Sequence, residues 1–85
     1  MKQVTLYTTK FCPYCHRAIK KLDQKGVEYT NINVSKNREE FDEIMKETGW
    51  DSVPQIFIDG VFIGGCDDLF ALDDQGKLDK LLGVK

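Results

Sequence analysis

Phe11-Cys12-Pro13-Tyr14-Cys15 follows a short alternating run, Val4-Thr5-Leu6-Tyr7, and opens a stretch with helical spacing. Its two thiols are three residues apart, and positions so spaced share one face of a helix. The sulfurs can therefore close a disulfide or exchange one with another molecule. Proline lacks an N–H and is tolerated at the first helical position, where that donor has no partner in any case, so Pro13 marks the helix start. Cys12 then occupies the N-cap. A thiolate there accepts from the N–H groups of Tyr14 and Cys15, as N-cap oxygens do, and the helix dipole adds at most ~2 kcal/mol in its favour. The Cys15 thiol as donor and the charge of Lys10, two residues upstream, act in the same direction. Cys12, at an exposed tip, reads as the nucleophile. Cys15, one turn further in, reads as the buried resolving thiol.

Outward from this pair the periodicity is clear. Residues 3 to 8 read as a strand, and Pro13 to Lys25 as a helix with Ala18, Ile19 and Leu22 on one side and Arg17, Lys20, Lys21 and Lys25 on the other. Gly26 is placed to end it. Val27 to Val34 alternates as a second strand, with a phase slip near Asn31. Ser35 to Thr48 reads as a helix capped by Ser35, with Glu39 and Glu40 in its first turn, Phe41, Ile44 and Met45 as its apolar stripe, and Gly49 as its stop. Gln55 to Ile58 and Val61 to Ile63 flank Asp59-Gly60, a dipeptide suited to a type I′ hairpin. Asp67 or Asp68 starts a last helix through Leu69, Phe70 and Leu72, and Lys77 to Leu82 adds another turn. A strand-helix-strand unit is almost always a right-handed crossover between parallel strands. The expected architecture is α/β, a four-stranded mixed β-sheet flanked by helices on both faces. In such sheets ligands gather beyond the carboxyl ends of the strands, where Cys12 lies.

Eighty-five residues imply a single domain over 1–85, with room for one core and one site. Apolar residues at 41% and charged residues at 31% exclude a disordered chain, and no apolar run is long enough to span a bilayer. The start carries no apolar signal core, so a reducing cytoplasm is expected. Three cysteines are an odd number, which argues against a structural disulfide framework and leaves the close pair for redox or metal chemistry. With a formal charge of -2 and interspersed signs, no nucleic-acid or membrane partner is expected.

Three motifs in order, Cys12-Pro13-Tyr14-Cys15, Ser52-Val53-Pro54 and Gly64-Gly65-Cys66-Asp67-Asp68, make the chain similar to the dithiol glutaredoxins over essentially its whole length. Thioredoxins usually carry Gly-Pro between the cysteines, so Pro-Tyr points away from them. The resemblance implies a thioredoxin fold, glutathione as reductant and co-substrate, and protein-glutathione mixed disulfides or protein disulfides as substrates; a monomer is expected. It implies a glutathione site in which Lys10 lies near the glycine carboxylate, Tyr14 lies beside the sulfur, and Val53 pairs its backbone with the cysteinyl unit. Ser52 stands where the family usually has threonine, and Pro54 would follow a cis bond, which costs little before proline. Gly64 and Gly65 would let the ligand approach the backbone. The N–H groups of Cys66 and Asp67 would take the γ-glutamyl carboxylate at a helix start, and the Asp67 side chain the ammonium. Arg38 is a further candidate for the glycine carboxylate, and Trp50-Asp51, an unusual lead-in, flanks the groove.

Competing readings attach to the same residues. Cys12 and Cys15 form half of a Cys₃His zinc site if Cys66 and His16 complete it, but His16 directly follows Cys15 and points around the helix, so no metal is expected. Cys66 reads more simply as an inert, partly buried thiol, and Asp68 as a helix cap. Tyr7, Phe11, Tyr29, Phe57 and Phe62 read as core or rim aromatics; Glu39, Glu40, Asp73 and Asp74 read as solvated surface. At the level of function, two alternatives remain beside the glutathione-dependent oxidoreductase. One is a thioredoxin-like electron donor served by a flavoprotein reductase; the other is a carrier of a glutathione-ligated iron-sulfur cluster.

Overall fold

In the register of the central strands, Tyr7 faces Ile32 on one side and Gln55 on the other, and this pairing sets the whole sheet. The computed structural model describes residues 3–83, so the domain expected over 1–85 extends beyond the described span at both ends. The strands are β1 (Val4–Thr8), β2 (Thr30–Asn33), β3 (Gln55–Ile58) and β4 (Val61–Gly64). The helices are α1 (Pro13–Gln24), α2 (Arg38–Thr48), α3 (Cys66–Asp74) and α4 (Leu78–Leu82). Sheet order is β2-β1-β3-β4, with β1 parallel to β2 and antiparallel to β3, and β3 antiparallel to β4. The expected mixed sheet is present. Asp59 and Gly60 join β3 to β4 with φ of 56° and 83°, both left-handed, as a type I′ turn requires.

Strand alternation sends side chains to two different cores. Val4, Leu6, Ile56 and Ile58 meet Ala18 and Leu22 of α1, Leu69 of α3, and Leu78 and Leu82 of α4. Each fully buried leucine here contributes about 1.5–3 kcal/mol. Tyr7 turns the other way, to Val34 and to Phe41 of α2. Among the described residues, no helix is long and apolar enough to cross a membrane.

Several boundaries differ from the sequence reading. The second strand begins at Thr30, not Val27, because Val27 is buried in the core with its N–H 3.5 Å from the Leu22 carbonyl at the end of α1. The second helix begins at Arg38 rather than Ser35. Asn33 competes for the cap: its side chain accepts the Ser35 N–H at 2.9 Å, and its carbonyl accepts the Asn37 amide at 2.8 Å, which holds 33–37 in a turn. The third helix begins at Cys66, ahead of both expected starts, because the Asp68 carboxylate accepts the Gly65 N–H at 3.0 Å and fixes Gly65 as the cap.

Two acids also depart from expectation. Glu40 is tied to the core, accepting the Tyr7 hydroxyl at 2.8 Å. Asp73 lies 3.0 Å from the Lys21 ammonium and 2.6 Å from that of Lys25, which also reaches Asp79 at 2.9 Å. These contacts pin the end of α1 to α3 and α4. They hold the Asp73 carboxyl below its usual range and raise Lys25 above its own. Phe11, expected in the core or at the rim, stands out into solvent at 87% exposed.

Burial, the hydrogen bond to Glu40, and the charges of Glu40 and Glu47 push the Tyr7 phenol up from 10.0 to about 12. A raised folded value means that the contribution is present below pH 10 and is lost as pH rises from 10 to about 12. Urea unfolding across that window is expected to show a steeper loss of stability in the wild type than in Tyr7→Phe; parallel curves would contradict the assignment. Gly64 has φ of 115°, and a Cβ placed there would run into the Asp68 carboxylate. Gly64→Ala is therefore expected to cost about 1–3 kcal/mol in the same measurement, and an unchanged midpoint would show that the junction yields freely.

Candidate thiol site

Strand β1 ends at Thr8, and the chain turns through 9–11 before Cys12 takes up extended backbone, φ -110° and ψ 107°, as the N-cap of α1. Its Sγ accepts the Cys15 N–H at 3.1 Å, while the His16 N–H goes to the Cys12 carbonyl at 3.1 Å. Of the two N–H groups expected on this sulfur, Cys15 is the one among the described residues that makes the bond. On its other side, the Cys12 thiol donates to the Val53 carbonyl at 3.9 Å. Cys12 is not at an exposed tip. It is only 9% exposed, while its neighbours Phe11 and Tyr14 stand out into solvent.

Cys15 is fully buried. Burial is the first cause that pushes its thiol up from 9.0 to about 12, followed by the hydrogen bond to Cys12; the charges of Cys12 and Cys66 add to this, and a backbone bond with Thr9 opposes it. The two sulfurs are thus unequal. Cys66 is also buried, and burial raises its thiol, with Arg17 pulling the other way and Asp67 and Cys12 adding to the rise.

Beside Cys12 opens a cleft of about 290 Å³. It is bounded by Tyr14 at the start of α1, by Ser52, Val53 and Pro54 from the loop before β3, and by Gly65, Cys66 and Asp67 where β4 passes into α3. Trp50 and Asp68 complete its lining. The Val53–Pro54 bond is cis. Space at Gly65 is tight: a Cβ there would lie 3.3 Å from the Pro54 carbonyl oxygen and 3.3 Å from the Trp50 ring. Cys66 and Asp67 begin α3, so their N–H groups have no partner within the helix and are suited to an anion.

Lys10 does not line this cleft. It is exposed, with its ammonium 5.7 Å from the centre of the Phe11 ring. Arg38 lies in a separate hollow at the start of α2. His16 is exposed, and its Nε2 lies 3.0 Å from the Lys10 carbonyl, turned from the sulfurs. Among the described residues, no group of three or more His, Cys, Asp and Glu is arranged to hold a metal. The sequence reading passed over Gln55, which is fully buried and donates from Nε2 to the carbonyls of Trp50 at 2.8 Å and Ser52 at 3.2 Å. The signal was a polar residue opening an otherwise apolar strand, Gln55-Ile56-Phe57-Ile58.

The glutaredoxin family model matches residues 4–63. Among curated proteins, the chain is 50% identical over 82 residues to glutaredoxin 3 of Escherichia coli, covering 96% of this chain and 99% of that one. Among solved structures, it superposes on a buckwheat glutaredoxin-glutathione complex with a TM-score of 0.91 at 30% identity, covering 96% of this chain and 77% of that one. The solution structure of a glutaredoxin from Brucella melitensis matches with a TM-score of 0.85 at 49% identity, covering 96% and 89%. The chain therefore belongs to the glutaredoxin family, a membership that supports a glutathione-dependent thiol oxidoreductase role.

Proposed function

We propose that the chain, as a single-domain monomer in a reducing cytoplasm, reduces protein-glutathione mixed disulfides and protein disulfides through the Cys12/Cys15 dithiol. The observation that carries this reading is the inequality of the two sulfurs. Cys12 caps a helix at the edge of a peptide-sized cleft, while Cys15 is sealed beneath it with its thiol pushed up to about 12.

With a glutathionylated protein, the Cys12 thiolate attacks the glutathionyl sulfur and the protein leaves as its thiolate. Cys12 is left in a mixed disulfide with glutathione. A second glutathione thiolate attacks the glutathionyl sulfur, so that oxidised glutathione departs and the Cys12 thiolate is regenerated. With a protein disulfide, Cys12 forms a mixed disulfide with one protein sulfur and the other leaves as a thiolate. Cys15 then gives up its proton and attacks the Cys12 sulfur, releasing the second protein thiol; two glutathiones later reduce the Cys12–Cys15 disulfide.

For glutathione itself, the reading assigns the Val53 backbone to the cysteinyl unit, with Pro54 behind it and Ser52 beside it. The open backbone at Gly65 and the N–H groups of Cys66 and Asp67 take the γ-glutamyl carboxylate, and the Asp67 side chain takes the ammonium. Tyr14 covers the sulfur from the α1 side. Lys10, on the rim, serves the glycine carboxylate as a point charge. The shape of the cleft supports this arrangement, as does the buckwheat complex, whose partner is glutathione.

Two measurements test the reading. In a glutathione-coupled assay, Cys15→Ser is expected to retain turnover of a small glutathionyl disulfide and to lose reduction of a protein disulfide, whereas Cys12→Ser loses both; loss of both in Cys15→Ser would overturn the division. Brief iodoacetamide treatment of the reduced wild type at pH 7 is expected to add one group, at Cys12, leaving Cys15 and Cys66 unlabelled by peptide mapping. Labelling that begins at Cys15 would reverse the roles.

A further inference from the structure

Trp50 and Ser52 line the cleft, and with Asp51 between them they form a lip that lies outside every strand and helix. Side chains hold it instead. The Trp50 N–H is 3.2 Å from the Thr48 hydroxyl, its carbonyl takes one amide proton of Gln55 at 2.8 Å, and the Ser52 carbonyl takes the other at 3.2 Å. The Thr48 hydroxyl is also 3.0 Å from Gln55 Oε1, an orientation that leaves both amide protons for the lip. Gln55 has no exposed surface, so its amide is shielded from water, where an unmade bond is costly, whereas the Trp50–Thr48 bond is exposed. The Trp50 ring rests edge-on against Phe62, with centroids 5.2 Å apart and planes at 83°. The indole is therefore a wall rather than a loose flap, and it closes the cleft over Gly65.

We infer that Gln55 is a positioning residue, whose buried amide sets the Trp50–Ser52 lip and with it the grip of the cleft on the peptide attached to the reacting sulfur. The inference rests on the proposed function for its substrate, but the lip itself can be observed independently, because Trp50 is the one tryptophan in the chain. Methionine has nearly the size of glutamine and cannot donate, so Gln55→Met fills the site and releases both carbonyls. Cys12 keeps its own contacts to Cys15, which do not pass through Gln55.

The test compares wild type and Gln55→Met in steady-state kinetics with a small glutathionyl disulfide, in Trp50 emission, and in the rate of iodoacetamide labelling of Cys12. Expected are a rise of about tenfold in KM with kcat changed less than about twofold, a red shift of the emission, and unchanged labelling. A merely structural role would lower the melting temperature without splitting KM from kcat. Wild-type KM and emission in the variant would overturn the inference, as would a fall in kcat or in Cys12 labelling. If the wild type does not turn over the glutathionyl substrate, the proposed function fails, and the emission alone judges the positioning role, with no shift counting against it. Should Gln55→Met not fold, Thr48→Val, which frees Gln55 Oε1 and the Trp50 N–H, carries the same three measurements and the same outcomes.

Discussion

A sulfur atom caps the first helix, and the rest of the site follows from that single contact. The Cys15 N–H points at Cys12 Sγ because Pro13 starts the helix and removes the donor that would otherwise compete. With Cys12 as the cap, Cys15 sits one helical turn further in, at a fully buried position. Two chemically identical side chains thereby acquire different surroundings from three residues of spacing. Oxygen caps serve helix stability; here the capping atom also meets the carbonyl of Val53, a residue that lines the cleft.

The cleft is assembled by register. Tyr7 pairs with Gln55 and Ile56 with Gly64, so the end of β1, the beginning of β3 and the end of β4 lie along one edge of the sheet. The three motifs sit just beyond those three ends, and for that reason segments far apart in the chain converge. The antiparallel placement of β3 is essential to this. A parallel β3 would carry Val53 and Pro54 to the opposite edge and leave Cys12 without the carbonyl that it meets at 3.9 Å. The cores on the two faces of the sheet hold the strands; side-chain hydrogen bonds from Gln55, Thr48 and Asp68 then trim the loops.

What could be read from the sequence was what local rules govern. Pro13, Gly49 and Asp59-Gly60 mark turns and helix ends through φ and hydrogen-bond donors that belong to the residue itself, and the structure agrees at each. Ser35 misled because Asn33 and Asn37 offered the same backbone a better set of partners, a contest between near-equal caps that spacing does not decide. The burial of Cys12 was not legible, since the carbonyl beside it comes from 41 positions away. Glu40 and Asp73 looked like solvated acids for the same reason: their partners, Tyr7, Lys21 and Lys25, lie on other elements. The motif residues could be named, but the polar side chains that hold the loops carrying them could not.

On the proposed reading, the environment of Cys15 also sets the order of events. Burial raises its thiol first, and the hydrogen bond to Cys12 and the charge on Cys12 raise it further. Once Cys12 is joined to a substrate sulfur, it carries no negative charge, and it is a poorer acceptor for the Cys15 thiol. Two of the causes that keep the proton on Cys15 weaken at the same moment that an electrophilic sulfur appears beside it. Burial persists, so the release is partial, and the bond between Cys15 and the Thr9 backbone continues to favour the anion. A resolving thiol restrained in this way is quiet in the resting protein and becomes reactive when a mixed disulfide exists to be resolved. A glutathionyl group that binds well in the cleft gives the second glutathione time to arrive first, and so the competition between the two routes is decided by how the cleft holds its peptide.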